Sequence, residues 1–422
     1  MRQRTFRKSA LISVLLLAGA LVPYFTFWGC GSGGYDEPST TAASTLLTPE
    51  TLATWIDGGK VNSTGYERVV LVDVTTPASY NAGHIPGAQC LDSGTELMQT
   101  RVEGVAPSVN MVPEGSRMDA LIQRLGIDAN TTIVFTSKAS ILNATRAYFT
   151  FRYWGFPKER LKLLDGGYTA WTGALDNVVP TVAPSTYSVR DLGALNAGLR
   201  ASLGEMMAVA ADTDADTVIV DTRSGELSGG YAGVIGSTTG VFPPGGDYAA
   251  FEGHMKGGRA LAYSTLSSGG RFLPTDNLVT LFAAVGVDGT KTAHVYCRTG
   301  VIASLEFFVL DGILGWDAVL YDGSWSQWGA MAVTTKGGPL ASTSAWRTDT
   351  AAYSDLVNYS VDNTVSATPE TVTVDNLAVT MFTTTSDPAA NQVEKADAEY
   401  ISGGGGTSGG GTTTGGGGGG GC

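Results

Sequence analysis

Residues 292–302 read Thr-Ala-His-Val-Tyr-Cys-Arg-Thr-Gly-Val-Ile. The first five are largely apolar, β-branched or aromatic, which is strand composition, and the run stops at Cys297. A hexapeptide, Cys297-Arg298-Thr299-Gly300-Val301-Ile302, leads into a run of helical character from Ala303. His294 lies three residues before Cys297 on the same strand and so points to the opposite face.

Outward from this stretch the chain repeats itself, in the same order each time. An apolar strand ending in aspartate occurs as VVLVDV, with Asp73, and as TVIVDTR, with Asp221. A Gly-His turn occurs as GHIPGA, with His84, and as GHMKGG, with His254. The 292–299 strand has its counterpart in TTIVFTSK at 131–138. A last segment occurs as LKLLDGGYTAW, with Asp165 and Trp171, and as AVLYDGSWSQW, with Asp322 and Trp328. Amphipathic stretches at Ala144–Trp154 and Ala303–Leu314 precede that last segment. Short β-branched runs alternating with helical runs predict parallel βαβ units, so each copy is expected to be an α/β domain with a parallel sheet flanked by helices. The expected boundaries are 45–180 and 198–345, joined through Val179–Ser188 with Pro180 and Pro184.

This ordered set, in duplicate, resembles the rhodanese family. The arrangement is similar to tandem-domain sulfurtransferases of the thiosulfate and 3-mercaptopyruvate type and covers roughly residues 45–345. The resemblance implies two rhodanese-like domains. Only the second carries a loop cysteine; the first, with Thr136-Ser137-Lys138 in a longer loop, reads as an inactive copy. It implies transfer of sulfane sulfur through a Cys297 persulfide, from a small donor to a thiol or cyanide-like acceptor, without metal or organic cofactor. Substrate-binding positions carried over are Arg298, Thr299, Gly300, Val301, Ile302 and Arg223. Three positions depart from the family pattern: Ile302 where arginine or threonine is usual, Thr299 where thiosulfate users often have lysine, and Leu227 near an expected second arginine.

The residues support the same chemistry on their own terms. Carboxyl ends of parallel strands are where open α/β sheets place ligands. A loop with a central glycine can turn successive N–H groups inward, which lowers a thiol pKa and holds the anion of Cys–S–S⁻. A lone thiol is otherwise a common buried core residue. Phosphoryl chemistry on a related loop needs Cys-x5-Arg, but Ala303 stands six residues after Cys297. His84 and His254 read as turn-fixing rather than as general bases, and Asp73 and Asp221 as loop-ordering. Cys90 reads as a small buried hydrophobe, Trp171 and Trp328 as core aromatics. Lys138 and Arg146 are either solvated or face the cleft between the copies.

Composition narrows the remaining classes. The net charge is −13 over 422 residues, which leaves no electrostatic footprint for a nucleic-acid backbone. Three histidines and four scattered cysteines write no clustered metal motif. Arg2, Arg4, Arg7 and Lys8, followed by an uncharged apolar run to Gly29, read as a signal peptide over 1–29. Cys30 then resembles a lipobox cysteine, with 30–44 as a lipidated linker. The alternative is an uncleaved single-span anchor. Either places the body outside the cytoplasm on a membrane, periplasmic, outer-membrane or cell-surface, where a redox partner would keep Cys297 reduced.

Residues 346–400 form a Thr- and Val-rich extension expected to be extended or strand-like. The tail, 401–422, ends in Cys422 after a Gly/Ser/Thr run unable to bury a core, and is expected to be disordered. Twenty such residues have a typical reach of roughly 25 Å, enough for Cys422 to serve as a second thiol for Cys297. A different class of function also fits: a non-turnover rhodanese-like binding or carrier lipoprotein, holding sulfur or chalcogen oxyanions such as selenite or tellurite.

Overall fold

The computed structural model describes residues 44–103, 106–211, 216–223, 255, 257–331, 370–374, 377–381 and 391–403. Cys30, Leu227, His254 and Cys422 lie outside them, as do the leader and the glycine tail.

Two five-stranded sheets, each entirely parallel, carry the architecture. The first runs, edge to edge, Leu46–Leu47, Leu161–Leu164, Thr132–Thr136, Val69–Thr75, Gln89–Asp92. The second runs Arg200–Ala201, Ala318–Tyr321, Thr292–Tyr296, Thr217–Asp221, Arg259–Ala260. Strand for strand the two orders match, so the sequence repeat is a repeat of topology. In both sheets the aspartate-ending strand lies beside the loop-bearing strand, with Asp73 opposite Thr136 and Asp221 opposite Tyr296. The Val69–Thr75 strand is buried at every position, as a central parallel strand covered on both faces must be.

Helix starts follow their local chemistry. Thr48 and Thr76 accept from Thr51 N and Ser79 N, and each is followed by a proline whose missing N–H costs nothing at that place. Ser140 caps Ile141–Tyr153 by accepting from Leu142 N.

That helix and its counterpart depart from the amphipathic expectation. Residues Ala144–Phe151 are all buried, and so are Ala303–Phe307 and the π-helical turns that continue to Gly312. Each helix is covered on every side because it packs against its own sheet and against the other helix. Phe149 meets Phe307 edge-on with centroids 5.0 Å apart, Tyr148 meets Phe308 at 4.8 Å, and Thr145 and Ser304 hydroxyls share a 2.9 Å hydrogen bond. One hydrophobic cluster therefore includes Val72 and Phe135 from the first sheet and Val220, Val295 and Leu320 from the second.

A two-stranded hairpin, Gln99–Glu103 with Ala106–Met111, projects from the first copy toward the second. At the turn end of its first strand Glu103, fully buried, takes a bidentate pair from Arg200 at 3.2 and 3.0 Å. In the C-terminal extension Glu370–Val374 and Leu377–Met381 form an antiparallel hairpin. Gln392–Ile401, by contrast, is a helix rather than strand. It docks by side chains: Asp397 accepts two bonds from Arg101 at 2.8 Å and one from Tyr153 at 2.9 Å. The Tyr400 ring lies where a Cβ on Gly115 would be, 2.1 Å from it, so only glycine fits there.

Candidate active site

Cys297 sits directly beyond the central strand of the second sheet and is fully buried. Its Sγ accepts the Gly300 N–H at 3.1 Å. That bond requires the loop to double back, and Gly300 does so with φ +81°, where a Cβ would also lie 2.6 Å from the Asp322 carbonyl oxygen. The Asp-Gly-Ser-Trp segment holds the loop from the far side. Ser324 Oγ accepts from Cys297 N at 3.2 Å, while Trp325 N and Ser326 N donate to the carbonyls of Cys297 and Arg298 at 3.0 and 2.9 Å.

Cationic support reaches the loop from the first copy. Arg146, buried in the Ile141–Tyr153 helix, donates to Gly300 O at 3.3 Å, to Asn110 O at 2.7 Å and to Asp322 Oδ1 at 2.6 Å. Arg200 donates to the other oxygen of Asp322 at 3.2 Å, and Val112 N to the same oxygen at 2.9 Å. Burial alone would raise the Asp322 pKa, but the two guanidinium charges outweigh it and hold the carboxyl below its ordinary range. Of the two residues expected either to face the cleft or to be solvated, Arg146 therefore reaches the site. Lys138 does not: its ammonium donates to Gly83 O at 2.7 Å and Ser79 O at 3.3 Å inside its own copy.

The other expected positions sort by environment. Thr299 is buried and accepts from Asn110 Nδ2 at 3.3 Å. Arg298 and Val301 are half-buried. Ile302 is buried in the shared core, the direction an apolar side chain takes at the entry to a covered helix. Arg223 is buried; it pairs with Asp221 at 2.5 and 2.9 Å and lies over the Trp325 and Tyr296 rings. Asp221 thus holds Arg223, two residues beyond its strand. Asp73 in the first copy orders the loop of the neighbouring strand, accepting from Lys138 N at 3.1 Å and Tyr168 OH at 2.6 Å. The first copy's loop is closed by Ser137, whose hydroxyl donates to Val74 O and accepts from Ala139 N and Ser140 N.

His84 fixes its turn. Both ring nitrogens lie 3.1 Å from backbone carbonyls, of Tyr80 and Val178, and the ring stacks on Tyr80 with centroids 3.8 Å apart. Trp328 is a core residue. Trp171 and Cys90 are only partly buried, because both lie toward the rim of the first sheet's smaller cluster. Burial, the largest influence, pushes the Cys90 thiol up to about 11, which leaves little thiolate there at neutral pH.

Sequence reading missed Glu306. It is fully buried on the helix that follows the loop, and neither carboxyl oxygen has a hydrogen-bond partner among the described residues. Burial pushes its pKa well above the ordinary carboxylate range, and negative charge at Asp221, or at Cys297 whenever its thiol is ionised, pushes the same way. One acidic residue in an apolar helix gives no sign from sequence of facing a thiol. Among the described residues no cluster of His, Cys, Asp and Glu could hold a metal ion.

The fold that carries this loop has counterparts among known proteins. The rhodanese-like domain family model matches residues 48–174. That segment is a rhodanese-like domain. A putative thiosulfate sulfurtransferase of Haloferax volcanii is 28% identical over 300 residues, spanning 69% of this chain and 96% of its own. The sulfur carrier protein TtuD of Thermus thermophilus is 28% identical over 260 residues, spanning 60% and 84%. Among solved structures, SseA from Escherichia coli, a 3-mercaptopyruvate sulfotransferase with the rhodanese fold, superposes with a TM-score of 0.51 at 19% identity. It covers 67% of this chain and 99% of its own. Both sheets of the chain thus fall within the rhodanese fold, and the cysteine loop lies in the second.

Proposed function

We propose that this chain is a sulfurtransferase that carries sulfane sulfur as a Cys297 persulfide. The observation that carries the reading is the Gly300 N–H donated to Cys297 Sγ at 3.1 Å, which stabilises the thiolate. In the first half-reaction the thiolate attacks the outer sulfur of the donor. An S–S bond forms to Cys297, and the donor's bond to that sulfur breaks with its electron pair leaving on the donor fragment: sulfite from thiosulfate, or pyruvate enolate, which then takes a proton, from 3-mercaptopyruvate. In the second, an acceptor thiolate or cyanide attacks the outer sulfur and the electron pair returns to Cys297. Support comes from the relatives named for thiosulfate sulfurtransfer and from the Arg146–Asp322–Arg200 network that fixes the loop. The leader and Cys30 support placement on a membrane outside the cytoplasm, with lipid at Cys30 as the anchor and Cys422 as a candidate second thiol.

A second reading is favoured by Ile302. The last loop position contributes an apolar side chain to the core, where a polar one would grip a substrate. On that reading the chain holds sulfur, or a chalcogen oxyanion, without turnover, in the manner its likeness to a sulfur carrier suggests. Steady-state assay of the full chain separates the two. Release of sulfite or pyruvate that continues with acceptor, and is lost in Cys297→Ser, supports transfer. A single stoichiometric loading without turnover supports the carrier.

A further inference from the structure

Among the described residues only Asn62, Asn110 and Ser324 hold a positive φ without being glycine. Two of the three touch the Cys297 loop. Ser324, with φ 50°, accepts from Cys297 N, and Asn110, with φ 59°, donates to Thr299 Oγ1. Left-handed backbone at a non-glycine residue costs free energy and persists where the surroundings impose it. At Asn110 the imposing contact is Arg146, which grips the Asn110 carbonyl at 2.7 Å while its guanidinium also holds Gly300 O and Asp322. Two residues further on, Val112 N donates to Asp322 Oδ2. The base of the first copy's hairpin is thus pinned against the second copy's cysteine loop.

Thr299 stands two positions after Cys297 and is 2% exposed. Its hydroxyl oxygen accepts from the Asn110 amide and makes no second hydrogen bond among the described residues. A hydroxyl whose oxygen is engaged as acceptor has its one proton left to donate. Burial excludes bulk water as the partner for that proton, so an anion bound at the loop is the natural acceptor.

We propose that Asn110 is a positioning residue for anionic sulfur donors: its amide fixes the Thr299 hydroxyl so that the proton points to an anion held over Cys297. The inference rests on Cys297 being the reactive thiol and deepens that reading. The site is then composite, with the first copy supplying Asn110 and Arg146 rather than serving as a bare scaffold.

The test compares Asn110→Gly, Thr299→Val, the double variant and wild type in the full chain. Glycine suits φ 59° and lacks only the amide, so Asn110→Gly retains or gains thermal stability. Alkylation of the Cys297 peptide is followed by mass spectrometry with iodoacetate, an anion, and with iodoacetamide, its neutral analogue. The iodoacetate/iodoacetamide rate ratio falls about tenfold in Asn110→Gly and in Thr299→Val, falls no further in the double variant, and changes little for iodoacetamide alone. The KM for thiosulfate loading rises in parallel with kcat nearly unchanged. In Asn110→Asp, whose carboxylate takes the hydroxyl proton and adds a negative charge, the ratio falls further. An unchanged ratio in Asn110→Gly, or additive losses in the double variant, overturns the proposal. If wild type takes up no sulfur while the ratio still responds, sulfur transfer fails and the positioning role stands.

Discussion

At the residue scale the site combines two buried carboxyls of opposite behaviour. Asp322 is flanked by Arg146 and Arg200, which hold its pKa below the ordinary carboxylate range; Glu306 has no donor among the described residues, and burial holds its pKa above that range. The folded Glu306 carboxyl binds a proton at pH values where the unfolded chain has released it. Its contribution to stability is therefore full below the ordinary carboxylate range and is lost as pH rises toward the raised folded value. Glu306→Gln lacks that slope. Its stability relative to wild type should grow by up to about 1.4 kcal/mol per pH unit above pH ~5, measured as urea midpoints at several pH values. A constant difference would show that Glu306 ionises normally. Gly300→Ala meets both a forbidden φ and the Asp322 carbonyl oxygen, so it should cost about 1–3 kcal/mol and sharply slow Cys297 loading. An alanine variant with wild-type loading would mean the N–H to sulfur bond is dispensable. Cys297 and its glycine were legible because the whole loop is contiguous in sequence. Glu306 was not, since its significance depends on which way a buried helix faces.

At the element scale the C-terminal helix Gln392–Ile401 is held by polar anchors more than by apolar area. Asp397 is buried between Arg101 and Tyr153, and Tyr400 OH donates to Asp119 at 2.6 Å while Arg190 lies over its ring at 4.2 Å. Asp397→Ala leaves the Arg101 guanidinium buried without its partner, a loss of about 3–5 kcal/mol. Asp397→Asn, which can still accept, should recover part of it in chemical denaturation. Equal stability of the alanine variant and wild type would mean that the helix does not dock through this pair. The helix escaped sequence reading because its stretch, Gln392–Ile401, packs inward through Val393, Tyr400 and Ile401, two of them adjacent at its end, a pattern too sparse to announce a period. The two sheets were legible for the opposite reason. Their strands are β-branched runs recurring in one order, and a repeat in sequence is a repeat in fold.

At the scale of the molecule the two copies share one core and one site. Ile141–Tyr153 from the first and Ala303–Leu314 from the second pack face to face, and Arg146, Asn110 and Glu103 cross from one copy to the other. Contacts of this kind lie between residues 97 or more positions apart, which no local pattern encodes. They predict one cooperative thermal transition for both copies, with calorimetric and van't Hoff enthalpies in agreement. Arg146→Ala should lower that transition and slow Cys297 loading together, because one guanidinium serves the weld and the loop. Two separate transitions would contradict a shared core. The central claim is that Cys297, held by this composite loop, takes a sulfur atom. The most direct measurement is the intact mass of the full chain after incubation with thiosulfate and, separately, with 3-mercaptopyruvate, followed by mapping to the Cys297 peptide. The account predicts a gain of one sulfur on Cys297, removed by cyanide and absent in Cys297→Ser. No gain with either donor, or a gain on Cys90, Cys30 or Cys422 instead, would contradict it.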